Sequence, residues 1–261
     1  MDQAQQQPAL FPVGFVAHGA PTLAIDPERG APFRSWGAAL PQPKAILVIS
    51  AHFERAPLTI GVTEQAPLVY DFSGFPPELY CVQYAAPGAP ELAQRVLALL
   101  SGHEIHESNR GLDHGVWTPL VHMAPAADIP VLEISMPYNY SPAQLFQVGQ
   151  ALAPLRKEGI FILGSGNLVH NLRLVDFYEL SGPPPWAREF DAWVREVLLR
   201  RDWDSLMQYP TLGPAIHIAH PTAEHLRPLL VAAGAAADDD VRFVLEGWEY
   251  GSLSRRTVQF G

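Results

Sequence analysis

Five of the ten histidines lie at strand ends, on loops or at helix starts, in settings where imidazole seldom serves as filler. They are His18 in Phe-Val-Ala-His-Gly-Ala-Pro, His52 in Ile-Ser-Ala-His-Phe, His114 in Gly-Leu-Asp-His-Gly, His170 in Gly-Asn-Leu-Val-His-Asn and His220 in Ile-Ala-His-Pro-Thr. Neutral imidazole is the commonest metal-ligating side chain and the one that most readily moves protons near neutral pH. Residues scattered in sequence but alike in setting predict one metal-centred pocket assembled by the fold. That pattern points to an enzyme.

Something must bring these imidazoles together. Short apolar runs bordered by Gly or Pro predict buried strands at Val13–Ala17, Ala45–Ala51, Leu58–Val62, Val131–Met136, Ile160–Leu163 and Val241–Leu245. Helical spacing recurs between them, at Leu92/Val96/Leu99, Leu145/Val148/Leu152/Leu155, Trp186/Phe190/Trp193/Val197 and Leu226/Leu229/Leu230. Alternating strands and helices predict one α/β domain spanning residues 1–261, with a mostly parallel central sheet covered by helices on both faces. Ligands in such folds gather beyond the carboxyl ends of the strands. His18 and His52 directly follow two predicted strands, and His170 follows a third after a Gly-Ser-Gly-Asn turn.

The other histidines read differently. His103 and His106 fall in an exposed charged stretch, and His122 reads as structural on a helix. The alternation of Ile216 and Ile218 predicts extended chain, so only one of His217 and His220 should face the pocket. His225 remains open. Thr222 and Glu224 read as the cap and first turn of the next helix. The stretch Ala235–Asp240 reads as a surface turn.

Composition narrows the function. Apolar residues make up 48% of the chain and charged residues only 17%, enough for a packed core. The formal charge of −10, with no basic stripe, argues against a nucleic-acid partner. Cys81 is the single cysteine, so an internal disulfide is excluded and a metal must take nitrogen or oxygen ligands. No apolar run is long enough to cross a bilayer and the start is not that of a secretory signal, so a cytoplasmic location with no membrane partner is expected. Oligomeric state leaves no mark in the sequence.

Six motifs in order resemble the class III extradiol ring-cleavage dioxygenases, within them the 4,5-DOPA extradiol dioxygenase-like group. They are His18-Gly19-Ala20-Pro21, Ser50-Ala51-His52-Phe53, the run from Tyr70 to Tyr80, Gly111-Leu112-Asp113-His114-Gly115, the run from Gly164 to Leu172, and His220-Pro221-Thr222-Ala223-Glu224-His225. The resemblance implies a mononuclear metal on His18, His52 and His220, with His170 as acid/base catalyst and His114 in the pocket. It implies Fe(II) for activity, with Zn(II) able to occupy the same site, and a catecholic substrate opened by O2 to a muconic semialdehyde. Better-known relatives resemble a two-histidine, one-carboxylate triad, so Glu224 stands as an alternative ligand or as a carboxylate orienting an imidazole. Asp71 and Phe72, in a run that reads either as substrate wall or as packed loop, are the candidate substrate contacts. Two other functions remain open: a zinc hydrolase using the same histidines, and a non-catalytic ligand-binding relative.

Overall fold

Alternate residues of the apolar runs go to opposite sides of one sheet, which is why each run is apolar throughout. The computed structural model describes residues 10–65, 67–178, 180–236 and 238–261. Its strands are β1 (Val13–Ala17), β2 (Ala45–Glu54), β3 (Leu58–Ile60), β4 (Ile105–Glu107), β5 (Val131–Met136), β6 (Ile160–Gly166), β7 (Val241–Leu245), β8 (Trp248–Glu249), β9 (Leu253–Ser254) and β10 (Thr257–Phe260). Eight of them form a sheet in the order β4-β3-β5-β2-β6-β1-β10-β7, and β8 pairs with β9. The central four, β5, β2, β6 and β1, are parallel. β3 runs against β5 at one side, and β10 runs against β1 and β7 at the other.

Helices α1 (Pro27–Ala39), α2 (Pro90–Leu99), α3 (His114–Met123), α4 (Pro142–Leu152), α5 (Pro185–Arg200), α6 (Trp203–Met207), α7 (Tyr209–Leu212), α8 (Ile216–Ala219) and α9 (Arg227–Ala236) cover both faces. Leu47, Ile49, Leu132, Ile134 and Ile162 pack with α2, α4, α5 and α9. Their neighbours Ile46, Val48, Val131, Phe161 and Leu163 pack with Phe33 and Trp36 of α1 and with Val116, Trp117 and Leu120 of α3. This is the expected single α/β domain with a mostly parallel sheet. Among the described residues, no helix is long and apolar enough to cross a membrane.

Three local expectations are corrected. Ile216–Ala219 is a helical turn rather than extended chain: the amides of Ile218 and Ala219 donate to Ala215 O. Ile216 is buried and Ile218 exposed because they sit on opposite sides of that turn. Thr222 does not cap a helix; its hydroxyl donates to Glu224 Oε1, and α9 begins only at Arg227. Ala235 and Ala236 are buried in α9, not part of a surface turn, while residue 237 lies outside the described residues.

Candidate metal centre

The carboxyl ends of β1, β2 and β6 meet at one edge, and each delivers part of a histidine cluster. His18 follows β1, its amide donating to Gly166 O at 3.0 Å. His52 lies inside β2, which continues past the predicted end to Glu54 with a register shift against β5. His114 is the first residue of α3, and His170 follows the turn after β6. His18, His52 and His114 offer ring nitrogens all within 4.8 Å of one another, a triad able to hold a metal. His170, Glu224 and His225 form a second such group. The two groups line one cavity of about 530 Å³ with Asp71, Phe72, Phe75 and Leu172.

His220 is not at this cluster. Its Nε2 donates to Leu168 O at 2.8 Å and its ring packs edge-on against Phe190. The histidine of that motif that lines the cavity is His225, two residues before α9. A glycine makes that possible: a Cβ on Gly166 would lie 2.0 Å from His225 O. Asn167 N donates to that same carbonyl at 2.9 Å, fastening the His225 backbone to the end of β6.

The rings of His18, His52 and His225 form a nearly regular triangle, with centroid separations of 5.0, 5.0 and 5.3 Å. Three imidazoles converging on one ion at about 2.1 Å, with angles between right-angled and tetrahedral, have centroids roughly 4.6–5.3 Å apart. His114 departs from this spacing, at 4.0 Å from His52 and 5.5 Å from His18.

Hydrogen bonds on the far side of the His18, His114 and His225 rings set their tautomers. Ser165 Oγ donates its one proton to Gly115 O at 2.5 Å, so His18 Nδ1 must be the donor in its 2.9 Å contact with Ser165. His225 Nδ1 donates to Glu224 Oε1 at 3.0 Å, and His114 Nδ1 to Asp71 Oδ1 at 2.8 Å. His52 Nδ1 faces Asp71 Oδ2 at 3.5 Å. Nε2 of His18, His114 and His225 is thereby left with a lone pair, and Nε2 of His18 and His52 stand 3.2 Å apart, close enough for both to reach one divalent ion once His52 Nε2 carries no proton. The donor set fits a divalent metal.

The electrostatics agree. Burial, then neighbouring imidazoles, hold His18 and His225 well below the ordinary histidine range. Burial brings His52, His170 and His220 down to about 4, with His114 adding to the effect on His52 and His220 to that on His170. Burial opposes ionisation of Asp71, but the hydrogen bond from His114 and the nearby imidazoles hold its carboxyl down at about 2. Neutral imidazoles backed by carboxylates are the form in which histidines bind metal.

His52 is also clamped along its backbone. Its amide donates to Ser50 Oγ, which donates to Asp113 Oδ1 at 2.7 Å. Arg110 donates both to Asp113 Oδ2 and to His52 O. Beneath Asp113 lies Glu133, whose carboxyl is pushed well up by burial and by Asp113. The folded chain therefore keeps a proton on Glu133 that the unfolded chain gives up above about pH 4.3. That contribution to stability is present below this pH and is lost as pH rises toward the folded value. Glu133→Gln keeps a permanent N–H donor there, so its Tm minus that of the wild type should grow from pH 5 to pH 8. A difference that shrinks over this range would refute the buried neutral acid.

Gly166→Ala should also be informative. Overpacking against a backbone carbonyl costs about 1–3 kcal/mol. Because the displaced carbonyl belongs to His225, the rise in Tm on adding Zn(II) should shrink as well, whereas simple loss of stability would leave that rise intact.

Sequence reasoning placed His18, His52, His114, His170, Asp71 and Phe72, and all six line the cavity. It left His225 open and gave no role to Ser50, Ser165, Arg110, Asp113 or Glu133. The run after Tyr70 is both wall and packed loop: Asp71, Phe72 and Phe75 face the cavity, while Tyr70, Phe72 and Tyr80 pack on one another and Trp117 lies tilted against Tyr70 and Phe72.

Residues 17–261 match the family described as the catalytic LigB subunit of aromatic ring-opening dioxygenase. The chain is 39% identical over 255 residues to a 4,5-DOPA dioxygenase extradiol of Beta vulgaris, covering 94% of this chain and 95% of that protein. A protein of the same name from Escherichia coli (strain K12) is 39% identical over 262 residues, covering 96% and 95%. The crystal structure of an uncharacterized protein from Escherichia coli K12 superposes with a TM-score of 0.82 at 34% identity, covering 96% of this chain and all of that one. With the histidine cluster at the carboxyl edge of the sheet, these likenesses show that the chain belongs to the class III extradiol ring-cleavage dioxygenases, the LigB family.

Proposed function

We propose that this chain is an extradiol ring-opening dioxygenase for catechols that holds one Fe(II) through His18, His52 and His225. The observation carrying the reading is the regular triangle of these rings, with Nδ1 of His18 and His225 donating to oxygens, beside a fourth imidazole, His170, stacked on one of them. The names of the relatives point the same way. These three nitrogens would hold the Fe(II), which would supply the redox chemistry that O2 activation needs and Zn(II) lacks.

The protein's own groups do the rest. His170 stacks on His225 at 3.4 Å, nearly parallel, and is the proton carrier. It is not poised near neutrality as the sequence suggested; burial keeps it a neutral acceptor through the physiological range. It takes a proton from a catechol hydroxyl on binding. The imidazolium so formed is a strong acid in that buried place and returns the proton as the ring opens. His114, held by Asp71, aims its Nε2 at the substrate oxygens as acceptor. Phe72, edge-on to His114, and Phe75 exclude water beside the ring.

Protein loaded anaerobically with Fe(II), given catechol and then air, should consume O2 and form a yellow ring-opened product. No uptake across a catechol panel, with ester or amide hydrolysis by the Zn(II) form, would replace this reading with that of a hydrolase.

A further inference from the structure

His52 is carried on a stretch of β2 that leaves the sheet. Ile49 pairs with Ile134 and Glu54 with Met136, so residues 50–53 stand opposite the single residue Ser135 of β5. Pairing with β6 ends at Ser50. A bulge of this kind re-aims a side chain but gives up the ladder bonds that would hold it. Its direction then depends on what fastens its two ends. Ser50 fastens the first, through Asp113. Glu54 is the second, and the group that holds it is Arg227.

Arg227 is buried and opens α9. A cation in a first helical turn opposes the helix dipole, so α9 itself gains nothing from it there. Its partners lie outside the helix. Nη1 donates to Glu54 Oε1 at 2.7 Å, and Nη2 donates to Pro137 O at 2.6 Å and to Tyr140 O at 3.0 Å. Pro137 follows Met136, the β5 residue paired with Glu54. One planar guanidinium, with its donors in a fixed fork, thus joins the end of β2, the turn after β5 and the start of α9.

The spacing relates this pair to the histidines. Glu54 lies two residues beyond His52, and Arg227 lies two beyond His225. An ion bound by His52 and His225 would link the same two segments that the Glu54–Arg227 pair already links. Resting on the metal triangle proposed above, we propose that Arg227 and Glu54 are positioning residues of the metal centre, whose ion pair holds the His52 bulge against the His225 segment at the separation one divalent ion needs. Without the pair the bulge gains freedom, and binding must remove it again. Affinity then falls although every ligand is still present.

Zn(II) binding to the folded apo-protein, measured by competition with a chromophoric chelator, tests this in Arg227→Met, Glu54→Ala and the double variant. Each single change should weaken Zn(II) binding about tenfold, and the double variant should be little weaker than either, because all three remove one link. Arg227→Lys keeps a cation in reach of Glu54 and should recover part of the loss. Co(II) in place of Zn(II) should show altered visible bands in Arg227→Met and Glu54→Ala, since those bands follow ligand geometry. Asp239→Asn breaks the ion pair with Arg156, which also holds Phe11 O near the amino ends of the strands. It should lower Tm and leave Zn(II) affinity unchanged. Should Arg227→Met fail to fold, Glu54→Ala decides alone, because it leaves Arg227 on its two carbonyls. Unchanged Zn(II) affinity in Glu54→Ala overturns the proposal, as do losses that add in the double variant or equal weakening by Asp239→Asn. Wild-type protein that binds no Zn(II), or binding that survives His225→Ala, refutes the metal triangle itself and takes this proposal with it, a result distinct from the others.

Discussion

His225→Ala is expected to lose the bound divalent ion, with metal affinity falling well over 100-fold, whereas His220→Ala and His114→Ala keep it. The prediction follows from where each ring points. His225 completes the triangle with His18 and His52, and its Nδ1–H donates to Glu224, which leaves a lone pair on Nε2. His220 spends its Nε2 on Leu168 O, away from the cavity. Its removal leaves that buried carbonyl without a donor, at a cost of about 1–3 kcal/mol, so Tm should drop while metal content stays near that of the wild type. His114 belongs to the close triad, but its ring lies 4.0 Å from that of His52 and 5.5 Å from that of His18, outside the even spacing of the other three. Replacing an orienting acceptor should have an intermediate effect: Ser165→Ala or Asp71→Asn should weaken affinity about 10–100-fold. Metal-to-protein ratios after dialysis, measured by mass spectrometry alongside Tm, separate these outcomes. Metal retained by His225→Ala but lost from His220→Ala would return the third ligand to the position the sequence suggested.

That exchange of His220 for His225 shows where sequence reading stops. Val13–Ala17 and Val131–Met136 were legible as strands because central strands are apolar on both faces; Val241–Leu245 was legible although it lies at the sheet edge. Thr257–Phe260 escaped notice: four residues containing Thr and Gln show no such run, yet β10 lies between β1 and β7. Helix α1 was equally hidden. Its register is set by Asp26, which accepts from the amides of Glu28 and Arg29, and Pro32 with two glycines blurs its apolar face. At the site, histidines ending strands were visible because one strand end predicts one edge. His225 was not, because its position depends on how closely β6 lets a later backbone approach, and that is decided by Gly166, about sixty residues earlier in the chain. Ser50 and Ser165 were quoted in motifs but given no role; a serine in an apolar strand reveals its work only when its partner is known. Asp113 and Glu133 form a buried acid pair from α3's entry and from β5, a contact no local pattern encodes.

His170→Ala should keep its metal and lose turnover, with kcat down about 10²–10⁴-fold, the usual loss when a positioned proton carrier is removed. The ring contacts the cluster by stacking on His225, so truncation leaves the three proposed ligands in place. Half of the consequence is visible in pH. Burial and the nearby His220 keep His170 neutral down to about pH 4. In the wild type kcat/KM should therefore stay level from neutrality down to about pH 5.5 and fall only as the solution approaches that lower value, where the imidazole is already protonated and can accept nothing. An ordinary histidine would place the midpoint near 6.5. His52 gains protons in the same low range, so acid should also release the metal, and metal content must be followed with the rate. In His170→Ala the residual rate should rise with pH as substrate arrives already deprotonated, because the group that would remove the proton is gone. A variant with wild-type kcat, or one that has lost its ion, would remove His170 from proton transfer and leave it as packing for His225.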